Sequence, residues 1–241
     1  MSRIQLSQPS FANGYARSRG ESVAPELWPS HAWVPAFGPT GATLFDIVAK
    51  QDALIVNGVQ DANGISFSQN PASGEGILAP ATTINQSIGS IFQLVKKKYT
   101  IWDNFGALWN VENATNNAPS EIIAYKYSTT TNIYFYPNID DNSSIYWDFG
   151  TNSTTFDVNT FRTYGFSWQN TKGLAGYIDG KLTGSQFGES TWTVISRGGN
   201  SEKLCIGKTY GTAYECGLTI CAFYVYDRIL SASDFALLHQ D

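Results

Sequence analysis

Three kinds of residue in this sequence could do chemistry: carboxylates, a few nucleophiles or ligands, and aromatic side chains flanked by amides. Retaining glycoside hydrolysis needs two carboxyls about 5 to 5.5 Å apart. Glu121 is followed by Ile122, Ile123, Ala124, Tyr125 and Lys126, so no second acid falls at strand spacing. Asp140 and Asp141 are adjacent and would point to opposite sides of a strand. His31 and His239 lie near the two ends of the chain, and no G-x-S-x-G motif occurs. No catalytic residue is assigned, and the chain is expected not to be an enzyme. Sugar binding asks for an aromatic ring to pack on the C–H face of a pyranose and for polar groups to fix its hydroxyls. Trp102, Asp103, Asn104, Trp109 and Asn110 offer this within one stretch, and Tyr134, Tyr136 and Trp147 are placed on neighbouring strands. They are the carbohydrate-binding candidates, although each taken singly also fits a packing role.

The remaining signals are weaker. Asp61-Ala-Asn-Gly64 and Asp140-Asp-Asn142 carry oxygens that could ligate calcium, and an ordinary Asx turn explains each equally well. No metal site and no cofactor is assigned. Cys205, Cys216 and Cys221 form no disulfide framework and have no zinc spacing. They read as buried thiols, with a Cys205–Cys216 bridge across a turn at Tyr210-Gly211 as the alternative. Lys96-Lys97-Lys98 reads as a solvated strand end, and Arg197-Gly-Gly-Asn200 as a turn with no phosphate-binding context. Asn85, Asn113, Asn142 and Asn152 sit in N-x-S/T triplets that a Thr- and Asn-rich chain produces by chance.

Composition bounds the classes that remain. The 241 residues are 42% hydrophobic, 14% aromatic and 15% charged, enough apolar material for a full core and too little charge for a coiled coil. No apolar run approaches the ~18 residues that a membrane span needs, and residues 1–30 hold no signal-peptide core. A formal net charge of -5 disfavours nucleic acid as the partner. That charge is unevenly spread. Arg3, Arg17 and Arg19 fall in a first 20 residues without acids, and the rest holds 12 basic and 20 acidic residues. Five of the nine prolines (Pro9, Pro25, Pro29, Pro35 and Pro39) also crowd the first 39 residues, which prevents a helix or a central strand there. Residues 1–42 are therefore taken as an extended basic arm that docks on an acidic surface or wraps its own domain, and 43–241 as the domain.

The elements that must position the candidates are strands. Ser87–Val95, Glu121–Tyr127, Thr131–Tyr136, Ser144–Phe149, Thr163–Trp168 and Leu218–Tyr226 are rich in β-branched and aromatic residues and are separated by Asn, Thr, Ser and Gly clusters. Their spacing fits an antiparallel sandwich or barrel. Asp179-Gly180 supplies a two-residue hairpin turn. Ser231–His239 reads as one short helix, capped by Ser231 or Ser233 with Asp234 near its start. Alternation along Leu218–Tyr226 puts Ile220, Ala222, Tyr224 and Tyr226 on one face and Cys221, Phe223 and Val225 on the other, which marks a central strand partly covered by the arm.

Several of these segments resemble laminin-G-like, concanavalin-A-type jelly-roll domains. Gly217–Leu238 is similar to the last strand and closing segment of that family, with Asp234 where Glu is frequent; Tyr164–Trp168 with Gly176–Lys181, Leu204–Gly207 and Gly64–Phe67 resemble earlier strands, in the right order. The resemblance implies an all-β, two-sheet antiparallel jelly-roll sandwich with an extended N-terminal arm and a short C-terminal helix. On this fold, sugar sites are loop-rim clusters, some relatives bind calcium, and glucanases carry a Glu-x-Asp-x-(x)-Glu strand that is missing here. Leu27–Gly41 resembles the lead-in to such domains in tailed-phage virion proteins. That implies a capsid decoration or head-fibre subunit, made in the host cytoplasm and oligomeric on the virion. Its arm would contact the major capsid protein or another virion protein through Arg3, Arg17 and Arg19, and its jelly roll would contact host-surface glycans. A free or cell-surface lectin module is the alternative, and a tail fibre or receptor-binding component a further one.

Overall fold

Leu218–Tyr226 is apolar at nearly every position, a pattern that suits a strand covered on both faces. The computed structural model shows what covers it. The structure describes residues 27–35, 42–61, 63–67, 76–80, 84–85, 87–97, 107–113, 122–126, 133–137, 147–148, 160–170, 172–187, 202–207 and 218–240. Its strands form two antiparallel sheets. The first runs β14 (Lys181–Phe187), β13 (Gly173–Ile178), β12 (Phe161–Gln169), β7 (Ile88–Lys97), β16 (Leu218–Tyr226), β5 (Gly64–Ser66), β4 (Val59–Asp61), and β1 (His31–Trp33) also pairs with β16. The second runs β11 (Trp147–Asp148), β10 (Ile133–Pro137), β9 (Ile122–Lys126), β8 (Ala107–Asn113), β15 (Glu202–Ile206), β6 (Gly76–Pro80), β3 (Asp52–Val56), β2 (Thr43–Phe45). The expected all-β sandwich with a short closing helix is the architecture found.

The core lies between the sheets. In the second sheet, register links Ile55 to Ile77, then to Ile206, Trp109, Ala124 and Phe135, a core-facing row that crosses six strands. Trp109 and Phe135 meet Phe166 and Trp168 of β12, with ring centroids 5.5 to 6.1 Å apart. Aromatic pairs at this separation add to what their buried area contributes. Gln93, fully buried on β7, bridges the layers by donating its amide to the Leu108 carbonyl at 3.4 Å.

The alternation expected along β16 breaks at one residue. Against β7 the register shifts between Ile220 and Ala222, so Cys221 is the extra residue of a β-bulge. Leu218, Ile220, Phe223 and Val225 therefore enter the intersheet core, while Ala222, Tyr224 and Tyr226 face the other way. Ile220 sits with Phe223 and Val225, contrary to strict alternation.

A second apolar layer covers the outer face of the first sheet. Helix α1 (Ala232–Gln240) lays Phe235 and Leu238 against Phe92, Ala175, Tyr177, Tyr224 and Tyr226. Its start is a capping box: Ser231 Oγ accepts from Asp234 N at 3.2 Å, and Asp234 Oδ2 accepts from Ser231 N at 2.7 Å. Ser90 Oγ ties down the lead-in, donating to the Arg228 carbonyl and accepting from Leu230 N. Leu27, Ala32 and Val34 belong to the same layer, and Trp33 is buried in the core. Residues 27–35 are thus packed on the sandwich, because β1 pairs with β16. Arg3, Arg17 and Arg19 lie outside the described residues.

Asp179-Gly180 makes the expected turn, with φ values of 50° and 71° and Ile178 paired to Lys181. Gly165 has a packing role. A Cβ there would lie 2.4 Å from the Phe235 ring, which rests on the bare backbone and stacks on Tyr177 at 4.1 Å. Gly165→Val should lift α1 and cost about 1–3 kcal/mol, the usual penalty of overpacking. Urea titration followed by far-ultraviolet circular dichroism measures it, and Gly184→Ala on β14 serves as the comparison.

Candidate functional site

The aromatic candidates separate into three groups. Trp102, Asp103 and Asn104 lie outside the described residues. Tyr134 and Tyr136 flank Phe135 on β10, and Trp147 stands on the adjoining β11, paired with Phe135, while Tyr134 pairs with Asp148. Tyr136 is in register with Ile123 of β9. The register therefore separates them: Tyr134 and Tyr136 hold alternate positions on β10, whereas Trp147 is in step with the core residue Phe135 between them. Trp109 is corrected. It is fully buried at the centre of the intersheet aromatic cluster and presents no face to a ligand. Its neighbour Asn110 is fully buried as well.

The calcium alternatives fare differently. At Asp61–Gly64 the Asn63 N–H donates to Asp61 Oδ1 at 2.7 Å, the Asx turn that closes the β4–β5 hairpin. Asp140–Asn142 lie outside the described residues, as do Cys216 and Arg197–Asn200. Among the described residues no group of three or more His, Cys, Asp or Glu side chains could hold a metal ion. Cys205 and Cys221 are buried thiols. Burial pushes the Cys221 thiol up to about 12, with Lys96 opposing and Asp61 assisting, so it stays protonated and unreactive. Lys96 projects from the end of β7 over the Phe161 ring, 5.4 Å from its centroid.

The sequence reading missed the most developed polar constellation. Asp46, fully buried after β2, accepts at Oδ1 from the backbone N–H groups of Ala32 (3.1 Å), Val48 (2.9 Å) and Ala49 (3.0 Å). At Oδ2 it accepts from His31 Nδ1 at 2.6 Å. The His31 ring lies parallel to Trp33, at an interplanar angle of 7° and 5.7 Å between centroids. Burial by itself would raise the Asp46 pKa. The His31 contact and the three N–H donors outweigh burial and hold the carboxyl below 3.8. An Asp oriented by three amides and orienting a His imidazole is the supporting half of a general-base arrangement. Here it also staples β1 to the turn after β2. The local signal was the Asx pattern of Asp46 with the next two turn amides. The partner 15 residues upstream left no trace in spacing.

Fold and constellation together define a class, an all-β two-sheet sandwich of jelly-roll-like form. No family model and no curated protein sequence matches the chain. Solved structures do. Trypanosoma rangeli sialidase in complex with sialic acid superimposes with a TM-score of 0.63 at 13% identity, over 92% of this chain and 34% of the sialidase. Its covalent-intermediate complex with 2,3-difluorosialic acid gives 0.65 at 15% identity. The binding domain of botulinum neurotoxin serotype D gives 0.62 at 15% identity, over 89% of this chain and 52% of that one. The chain thus spans about a third of the sialidase and half of the toxin domain. At such identity the likeness establishes the fold alone, and the laminin-G and phage resemblances carry forward only as a jelly-roll-like sandwich. One expectation is overturned. The chain was expected not to be an enzyme, yet the sialidases that share its fold are enzymes, so a missing carboxylate triplet does not support that exclusion.

The Asp46 cluster has a pH signature. Its folded-state pKa lies below the unfolded value, so the carboxylate stabilises the fold above that unfolded value. The contribution is lost as pH falls below 3.8 and through the folded value. Asp46→Ala should cost about 1–3 kcal/mol at neutral pH, the penalty of leaving buried donors without their acceptor. Asp46→Asn should flatten the acid limb of a stability profile taken by urea denaturation between pH 2.5 and 7.

Proposed function

We propose that this chain is a carbohydrate-binding β-sandwich module displayed on the virion of a tailed phage, as a capsid decoration or head-fibre subunit. The observation that carries the sugar-binding reading is the placing of Tyr134 and Tyr136 at alternate positions of β10, on either side of the core residue Phe135. Aromatic residues grouped on a rigid sheet can stack on pyranose rings without ordering a loop first. The fold likeness to a sialidase solved with sialic acid is in keeping with this reading.

The virion part rests on the resemblance of Leu27–Gly41 to the lead-in of phage jelly rolls and on the basic residues upstream of it. The described portion of that lead-in is paired to β16, which gives the arm a fixed point of departure from the sandwich. Arg3, Arg17 and Arg19 would meet an acidic surface of the major capsid protein or of another virion protein. Display in many copies makes individually weak sugar contacts useful, because tethering multiplies millimolar affinities.

Two measurements test the proposal. Glycan-array screening followed by titration calorimetry should find a pyranose-bearing ligand, and Tyr134→Ala should weaken its binding about tenfold, the scale of one lost aromatic contact. Quantitative mass spectrometry of purified particles should find the chain at a copy number comparable to the major capsid protein. A few copies per particle would transfer the role to the tail. Absence from particles, with glycan binding intact, would leave a free lectin module.

A further inference from the structure

The chain entering β1 is clamped on both sides of one exposed ring. Leu27 is 1% exposed in the outer apolar layer, and Pro29 is buried. Trp28 between them is 36% exposed. Ser30 N donates to the Val225 carbonyl at 2.8 Å, and Ser30 Oγ accepts from Asp227 N at 3.2 Å. These bonds extend the contact of β1 with β16 by one residue past the His31–Val225 pair and tie Ser30, two residues from Trp28, to Val225 and Asp227. Asp227 and Arg228 are both exposed, and the Arg228 guanidinium lies over the Tyr226 ring at 5.8 Å. One short stretch of the sandwich rim therefore carries an indole, a carboxylate and a guanidinium, with Ser30 bonded to Val225 and Asp227.

The geometry points to a pyranose-binding subsite formed by Trp28, Asp227 and Arg228, separate from the β10 tyrosines. The indole supplies the flat apolar surface for the sugar's C–H face. Asp227 accepts from ring hydroxyls, and Arg228 donates to hydroxyl or carboxylate oxygens. Because Leu27 and Pro29 anchor the backbone, the ring is already outward before ligand arrives, and little is lost in ordering it. Among the described residues, Phe45, Leu54, Val59, Leu182 and Leu237 are also large, apolar and exposed, and Trp28 is the one indole among the exposed large hydrophobics.

This inference rests on the carbohydrate-binding reading, so the experiment separates the two. Saturation-transfer NMR on the whole chain, with methyl β-galactoside and N-acetylneuraminic acid as probes, would be run on wild type, Trp28→Ala, Trp28→Tyr, Arg228→Ala and Tyr134→Ala. The expected result is a loss of about tenfold in affinity for Trp28→Ala and Arg228→Ala, with recovery in Trp28→Tyr. The Trp28 and Arg228 variants should keep an unfolding temperature close to the wild type's, because those side chains are exposed. Binding abolished by Tyr134→Ala and unchanged in Trp28→Ala would overturn the subsite and keep the β10 site. Loss in Trp28→Ala with Tyr134→Ala unaffected would keep the subsite and remove the other. Saturation of neither probe by the wild-type chain would overturn both.

Discussion

The central strand β16 is the constraint on which the rest of the structure depends. It pairs with β7 along its length, with β5 at one end and with β1 at the other, and every residue from Leu218 to Tyr226 is buried. A strand in that position must find apolar cover twice. The second sheet covers one face, through Trp109, Phe135 and the aliphatic row from Ile55 to Ile206. On the other, α1 and the segment entering β1 supply Phe235, Leu238, Leu27 and Val34. Burying each of these large apolar side chains contributes roughly 1.5–3 kcal/mol. The helix and the lead-in are therefore integral to the sandwich.

The bulge at Cys221 follows from the same demand. Two faces of different character must be fed from one strand, and the extra residue lets Leu218 and Ile220 share the core with Phe223 and Val225. It leaves Thr219 on the opposite side, where its hydroxyl meets Ser66 at 2.8 Å. The polar staple of Asp46 and His31 does for β1 what hydrophobic burial does elsewhere. A strand of three residues has too few ladder bonds to hold itself, and Asp46 adds a bond to Ala32 N and another to His31. These bonds replace water that the buried carboxylate has lost.

The candidate site was legible in part for a plain reason. Tyr134 and Tyr136 lie two apart on one strand, so local pattern was enough to give them equivalent positions, but only the register shows that Trp147 falls in step with Phe135 and not with them. Trp109 carried the same composition signal, but a tryptophan beside an asparagine reads alike whether it lines a rim or fills a core. Only the register that pairs it with Ile206 and Ala124 turns it inward. The Asp46–His31 pair escaped because the residues are neighbours through the fold and neither has a distinctive local context. Trp28 escaped for a related reason, since its exposure is set by what Leu27 and Pro29 bury.

By itself the sequence determined the class of architecture, the hairpin turn at Asp179-Gly180, the helix with its Ser231–Asp234 cap and most of the strands. All of these are set by contacts within a few residues: a positive φ, a capping hydroxyl, a β-branched run. The tertiary structure alone decided the packing of residues 27–35 on the sandwich, the face that Ile220 presents, the burial of Trp109 and the meeting of Asp46 with His31. Those depend on which strands become neighbours, a choice made by the total apolar area two sheets and a helix can bury together. No single segment carries that sum.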